Sequence, residues 1–258
     1  MLKFSASLSM LFQEWPLEDR FQAAKDAGFD AVEIQLPYSV NPDRLARARE
    51  AADVRVVLIN APKDFDDQIA FGRAAIPDAH LCFADDLNRA FDYAHALQSK
   101  RIHILAGLIA SNDKRARETY LNALNTAATR ATNHDIDIVI EPLNTRDAPG
   151  YFLNSYTQAI ELLKELNLPN VKLLFDIYHR QILHGDVMTA LSDLQHHIGH
   201  VQIASVPHRH EPGTGELDDF AVLRHLDALG YSDYVGCEYR PIDGTLAGLG
   251  WRERWTLT

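Results

Sequence analysis

The sequence contains very little cysteine. Only Cys82 and Cys237 occur among 258 residues, and they lie far apart in the chain. A disulfide scaffold or a zinc knuckle needs more cysteines at closer spacing, so neither is expected. We therefore predict a protein of the reducing cytoplasm.

The sequence also lacks an excess of basic residues and long apolar runs. The 25 lysines and arginines are outnumbered by 36 acidic residues, and the formal net charge is −11. Nucleic acids and anionic membranes both select basic surfaces, so neither is expected as a partner. No apolar run reaches the roughly 18 residues of a membrane-spanning helix. The serine-broken first segment, which lacks a convincing cleavage site, is interpreted as a strand rather than a signal peptide.

What the sequence does contain is a repeated alternation of short apolar segments and amphipathic segments. Hydrophobic residues make up 47% and charged residues 24%, as in ordinary globular proteins. The pattern indicates βα units and a parallel sheet. Strands are predicted over residues 3–8, 31–36, 55–60, 101–106, 137–142, 171–176, 200–205 and 234–239. Eight units in this length predict one domain over residues 1–258, an α/β protein folded as a single (β/α)8 TIM barrel.

Helical patterns lie between these strands. Helices are predicted over residues 17–27, 42–52, 84–98, 114–133, 155–166 and 218–229. Two connections are longer than usual, residues 61–80 and 206–216. Both leave the carboxyl ends of strands, where barrel enzymes carry their active sites. A pair of solvated polar loops is the alternative interpretation.

Four neighbouring strands each carry an oxygen-bearing side chain at or near the carboxyl end. They are Glu141, Asp176, Gln202 and Glu238. One such residue alone is more often a helix cap, but four on consecutive strands predict a convergent site. Three buried carboxylates repel one another unless a cation compensates them. Hard oxygen ligands favour Mg²⁺ or Mn²⁺, and four of them leave two octahedral positions for a chelating substrate.

Several longer motifs resemble the hydroxypyruvate isomerase family, within the xylose isomerase-like TIM barrels. They are "FSASLSMLF", "AGFDAVEIQLPY", "IEPLN", "PGYFL", "FDIYH", "GHVQIA", "HRHEPGTGE" and "GCEYRP", and they span nearly the whole chain. The resemblance implies a divalent metal held by Glu141, Asp176, Gln202 and Glu238, with no organic cofactor. It also implies that Glu141 and Glu238 are the catalytic pair that donates and accepts protons. Family members are often multimeric, which is compatible with a homo-oligomer.

Two further residues are candidate substrate contacts. His179 lies three residues after Asp176 and could donate a hydrogen bond to a substrate oxygen or act as a cap. Arg209 could receive the substrate carboxylate through a bidentate pair, or could simply be solvated. His103, in "RIHIL", is interpreted as a satisfied core histidine, with a residue that lines the barrel as the alternative.

The resemblance implies a metal-dependent isomerase that converts hydroxypyruvate into tartronate semialdehyde, so the expected partner is a small anionic hydroxy-oxo acid. A 2-oxo-tetronate isomerase and a ketose 3-epimerase are the alternatives. The epimerases usually place histidine where this chain has Gln202, which favours the acid isomerases. An apurinic-site endonuclease would need a histidine-rich zinc cluster, and a non-catalytic barrel would not need both glutamates. The segment 61–80 lacks the family's "GERG" type stretch, and we expect it to close over the substrate.

Overall fold

The eight strands form a closed parallel barrel. The computed structural model describes residues 1–63 and 71–256. Each strand pairs in parallel with the next one in the chain, and β8 pairs with β1 to close the barrel. The predicted TIM barrel is confirmed. None of the helices in the described part is long and apolar enough to cross a membrane.

The strand and helix bounds follow the predicted alternation. The strands are β1 (Lys3–Ser7), β2 (Ala31–Ile34), β3 (Arg55–Asn60), β4 (Arg101–His103), β5 (Asp137–Ile140), β6 (Val171–Asp176), β7 (Ile198–Ile203) and β8 (Tyr234–Cys237). The helices are α1 (Arg20–Asp26), α2 (Pro42–Ala52), α3 (His80–Leu97), α4 (Lys114–Thr132), α5 (Tyr156–Leu166), α6 (Ile177–Leu183), α7 (Val187–Leu194), α8 (Asp219–Ala228) and α9 (Trp251–Thr256).

The structure differs from the prediction in three places. All strands except β3 and β6 end earlier than predicted, so Glu141 and Glu238 each lie one residue beyond a strand. Helix α3 begins at His80 rather than at residue 84. Helices α6 and α7 were not predicted, because seven and eight residues are too few to show a clear helical period. Residues 64–70 of the long connection 61–80 lie outside the described residues, and so does much of the expected closing loop.

Strand alternation places polar side chains directly above an apolar layer inside the barrel. A small cluster separate from the main core consists of Ala31, Val57, Leu58, Val139 and Leu174. Successive strand residues point to opposite faces, so the residues two positions later share the inward face. Three of the residues two positions after a member of this cluster are the acids Glu33, Glu141 and Asp176, and all three are buried. The carboxyl end of the barrel therefore carries an acidic interior.

Gly236 in β8 makes room for one of these acids. A Cβ atom added at Gly236 would lie 2.3 Å from Oε2 of Glu33. We expect Gly236→Ala to lower the free energy of unfolding by about 1–3 kcal/mol, because the packed barrel must shift to accept the methyl group. Urea denaturation would measure this change.

Gly250→Ala is the matched control for this substitution. Nothing in the described residues lies within 4 Å of a Cβ atom added at Gly250, and its φ is not in the left-handed region. Its free energy of unfolding should stay within about 0.5 kcal/mol of wild type. Equal stability of the Gly236 and Gly250 variants would contradict the close approach of Glu33.

Candidate active site

Asp176 divides its two oxygens between a helix and the site. It ends β6 and is the N-cap of α6, where Oδ1 accepts hydrogen bonds from the backbone N–H of Tyr178 at 2.7 Å and of His179 at 3.4 Å. Its Oδ2 lies 3.5 Å from Nη2 of Arg209 and 3.6 Å from Nε2 of His179. The helix-cap interpretation is therefore confirmed, while the role of Asp176 in a site stays a prediction.

Glu141 is a buried carboxylate with an unused oxygen. It is 5% exposed, and its Oε1 has no hydrogen-bond partner among the described residues. Burial raises its pKa well above the usual range, and the charges of Glu238 and Asp176 raise it further. An oxygen in this state calls for a proton or a cation.

His179 is held in one tautomer by its neighbour Asn144. Its Nδ1 accepts the backbone N–H of Asn144 at 3.0 Å and lies 2.8 Å from Nδ2 of the same residue. Nδ1 is thus an acceptor, and burial lowers the pKa of the ring well below its usual value. The single proton of the neutral ring must then be on Nε2, which faces Glu141 and Asp176. A protonated nitrogen cannot ligate a metal, so Nε2–H is a donor for a carboxylate or a substrate oxygen.

Arg209 pairs with Glu238 and holds it in place. Its Nη2 lies 2.6 Å from Oε2 of Glu238, and Nε donates to the backbone oxygen of the same residue at 3.4 Å. Burial raises the pKa of Glu238 to about 8, although the guanidinium opposes this shift. Nη1 lies 3.8 Å from Oδ2 of Asp147, beyond hydrogen-bond distance, and makes no hydrogen bond within the described chain. Among the described residues this edge of the guanidinium meets only Asp147, in an ion pair without a hydrogen bond, so it is available to an anion.

Arg209 also adopts an unusual backbone conformation. Its φ is +57°, in the left-handed region, where a residue other than glycine costs on the order of 1 kcal/mol or more. Its backbone N–H donates to the oxygen of Ser205 at 2.9 Å, and its own oxygen accepts from the N–H of Arg240 at 2.7 Å. These bonds hold the strained residue beside Glu238.

Gln202 lies next to Asp176 on the neighbouring strand. The two residues are register partners in the pairing of β6 with β7. The Nε2 group of Gln202 donates to Oε1 of Glu33 at 2.7 Å, whereas its Oε1 is buried and has no partner in the part of the chain that the structure describes. Gln202 thus offers the site an amide oxygen.

These residues fit a hard divalent cation. Ligand atoms of Glu141, Asp176 and His179 lie within 4.8 Å of one another, although the tautomer of His179 removes it from the set of ligands. Both Glu141 and Gln202 carry a buried oxygen that finds no partner among the described residues. Burial also raises the pKa of Asp176. Acids destabilised by burial, together with a spare amide oxygen, are the donors that Mg²⁺ or Mn²⁺ prefers.

Comparison with known proteins identifies the family. Residues 21–255 match the model of the xylose isomerase-like TIM barrel family. The chain belongs to this family. The family resemblance that was inferred from the sequence motifs is confirmed.

Full-length relatives of this xylose isomerase-like barrel are isomerases. The 2-oxo-tetronate isomerase of Cupriavidus necator is 43% identical over 97% of each chain. The hydroxypyruvate isomerase of Escherichia coli K12 is 36% identical over 98% of this chain and 99% of its own. A Brucella melitensis structure named AP endonuclease, family 2, has a TM-score of 0.95 at 39% identity, covering 98% of this chain and 99% of that one. The family member described here is an enzyme of the isomerase class.

Three polar residues of this xylose isomerase-like barrel were missed or misread in the sequence. His103 is not a satisfied core histidine, because its Nδ1 lies 3.6 Å from Oε2 of Glu141 and its Nε2 lacks a partner among the described residues. Burial and the charge of Lys63 lower its pKa to about 3, so the ring is neutral. Lys63 follows β3, and the charges of Glu238 and Glu141 partly offset the lowering of its pKa by burial. The signal for the third residue, Glu33, was one acid inside the apolar run "AVEIQL".

Proposed function

We propose that this chain is a metal-dependent isomerase of small hydroxy-oxo acids, with hydroxypyruvate as the type substrate and tartronate semialdehyde as its product. One observation carries the proposal: buried Glu141, Asp176, Gln202 and Glu238 occupy the carboxyl ends of four consecutive barrel strands. The names of two relatives, hydroxypyruvate isomerase and 2-oxo-tetronate isomerase, indicate substrates of this kind for those proteins. Their nearly full-length similarity supports the substrate class.

The four oxygen donors would hold the cation. Glu141, Asp176, Gln202 and Glu238 supply one oxygen each, and Glu238 would have to share its carboxylate with Arg209. When bound, Mg²⁺ or Mn²⁺ would polarise the substrate oxygens and offset the negative charge of an enediolate. No organic cofactor is needed for this chemistry.

Glu141 and Glu238 would move the protons. One carboxylate removes a proton from C3 of hydroxypyruvate, and the electron pair of the broken C–H bond forms the C2–C3 double bond of the enediolate. Return of a proton to C2, with transfer of the hydroxyl proton from O3 to O2, gives tartronate semialdehyde. The two glutamates flank the site from β5 and β8, and carboxylates in this role contribute typically 10²- to 10⁴-fold in rate.

His179 and Arg209 would bind and orient the substrate. The Nε2–H group of His179 can donate to a substrate oxygen, because Asn144 occupies its other nitrogen. The Nη1 edge of Arg209 can meet the substrate carboxylate while Nη2 stays on Glu238. An arginine that serves both groups would place the carboxylate of the acid beside the proton-transferring glutamate.

A four-carbon acid is the second candidate for the substrate. The relative from Cupriavidus necator named 2-oxo-tetronate isomerase is more similar to this chain than the Escherichia coli hydroxypyruvate isomerase, at 43% against 36% identity. A four-carbon acid would use the same transfer between C3 and C2 and add one hydroxymethyl group. An endonuclease has less support, since a cluster of Glu141, Asp176 and His179 is the only one of its kind in the described residues and is not histidine-rich.

Proton NMR in D2O tests the proposal directly. Purified protein with Mg²⁺ or Mn²⁺ should convert hydroxypyruvate into tartronate semialdehyde that carries solvent deuterium at C2, because a carboxyl proton exchanges with solvent. The same experiment with a 2-oxo-tetronate compares turnover of the four-carbon acid with turnover of hydroxypyruvate. If the folded, metal-loaded protein turned over neither acid, the proposed function would be wrong.

A further inference from the structure

The geometry points to Glu33 as the residue that fixes the orientation of the Gln202 amide, so that an oxygen rather than a nitrogen faces the cation site. This inference rests on the proposed function, because it concerns a ligand of the proposed cation. Glu33 itself would not touch the substrate or the cation, so it would be a positioning residue.

Glu33 lies on β2 and contacts Gln202 and His200 on β7. These two strands do not pair with each other in the barrel. Its Oε1 accepts from Nε2 of Gln202 at 2.7 Å, and its Oε2 lies 2.8 Å from Nε2 of His200. Glu33 is 1% exposed and His200 is fully buried. Two carboxylate oxygens therefore meet two donors at a place that is closed to bulk solvent.

An amide side chain can turn over and exchange its oxygen and nitrogen with almost no change of shape. A carboxylate only accepts hydrogen bonds, so it can pair with the NH2 end of an amide and not with the oxygen. Glu33 thus selects one of the two orientations of Gln202. The selected orientation leaves Oε1 of Gln202 buried and, among the described residues, without a donor.

A buried amide oxygen without a partner costs about 1–3 kcal/mol, so this orientation is unfavourable unless a ligand meets the oxygen. The adjacent register partner of Gln202 is Asp176, whose Oδ2 faces the site. A cation beside Asp176 would meet the oxygen of Gln202 as well. Gly236, which has no side chain to displace Glu33, keeps the carboxylate in this position.

Glu33→Gln changes the hydrogen-bonding groups at position 33 and keeps the shape of the side chain. Glutamine has the same size but offers one acceptor oxygen to two donors. If the oxygen of the introduced amide stays on His200, its nitrogen faces Gln202, and Gln202 must turn its own oxygen toward that nitrogen. The site then receives an NH2 group, which cannot ligate a cation. We expect the affinity for Mn²⁺ to fall about 10- to 100-fold, the usual loss when an outer partner of a ligand is removed.

The double variant Glu33→Gln with Gln202→Glu exchanges the carboxylate and the amide between positions 33 and 202. The amide nitrogen introduced at position 33 would donate to one oxygen of the carboxylate introduced at position 202, and the other oxygen of that carboxylate would face the cation. We expect Mn²⁺ affinity to return to within about threefold of wild type. Glu14→Gln is the matched control, since Glu14 accepts hydrogen bonds from the backbone N–H and the hydroxyl of Thr245, at 2.8 and 3.1 Å, and from neither His200 nor Gln202. It should bind Mn²⁺ as wild type does.

Two measurements test the inference separately from the proposed function. Isothermal titration with Mn²⁺ gives the affinities, and equal affinity of wild type and Glu33→Gln would overturn the inference even if both were active. Weak binding by Glu33→Gln without recovery in the double variant would also overturn it, because the orientation of the amide would then not account for the loss.

The second measurement needs no metal. In ¹⁵N-labelled metal-free protein, the Nε2 protons of Gln202, assigned by their absence in Gln202→Glu, should exchange slowly in wild type and much faster or with a changed shift in Glu33→Gln. If wild type bound no Mn²⁺, the proposed function would fail, whereas this signal would still decide whether Glu33 orients the amide. An unchanged signal in Glu33→Gln would refute the orientation.

Discussion

Glu141→Gln should lower kcat on the oxo-acid substrate by about 10²- to 10⁴-fold, the contribution that a positioned acid or base makes to proton transfer. Glutamine keeps the volume and one oxygen of the side chain, but it cannot accept and return a proton. Glu238→Gln should have a similar effect, and it also removes the charge that pairs with Arg209 at 2.6 Å. Steady-state kinetics would measure both.

Two controls show whether a lower kcat reflects loss of proton transfer or loss of folding. Circular dichroism should show both variants folded, since burial of the neutral amide avoids the cost of burying a charge. Deuterium incorporation from D2O should fall together with turnover, because the same transfer is lost. A folded Glu141→Gln protein that retained near wild-type kcat would exclude this residue as the acid or base.

Removal of divalent metal should abolish turnover and lower the melting temperature. The buried carboxylates repel one another without a cation, so binding should favour the folded state. At a Mg²⁺ or Mn²⁺ concentration of 100 times Kd, linkage gives about 2.7 kcal/mol, or on the order of 5–10 °C for a chain of this size. Dialysis against a chelator followed by differential scanning calorimetry would measure the shift.

Restoration is the control for metal removal. Adding back Mn²⁺ or Mg²⁺ should recover both turnover and melting temperature, and Ca²⁺, which prefers longer bonds and more ligands, should recover less activity. Asp176→Asn should weaken the metal-induced rise in melting temperature, because it removes one charge from the set. Full activity after exhaustive chelation would show that the four oxygens serve another purpose.

The barrel and the main acids could be predicted from the sequence because both follow local rules. Alternation of apolar and amphipathic segments predicted eight strands, and the acids at their carboxyl ends predicted Glu141, Asp176 and Glu238 as neighbours. The structure confirms the eight-stranded barrel and brings Asp176 within 3.5 Å of the arginine that pairs with Glu238. Whether these residues carry the chemistry stays a prediction.

The missed features depend on contacts between distant segments. Glu33 and Gln202 are 169 residues apart, and no local pattern shows that the two side chains meet inside the barrel. The tautomer of His179 depends on a backbone N–H of Asn144, 35 residues away. Helices α6 and α7 are too short for periodicity to reveal them. Side-chain contacts across the barrel could be found only in the three-dimensional structure.

The divided carboxylate of Asp176 limits which side chains this position can accept. Serine and threonine can begin a helix but have no second oxygen to turn toward the site, and glutamate carries its oxygens one methylene too far for an ordinary cap. Asparagine keeps the cap and a second polar group toward the site, but it gives up the negative charge. Folding and chemistry therefore impose separate demands on one residue, and a change that satisfies only one of them leaves either a helix without a proper beginning or a site without its acid.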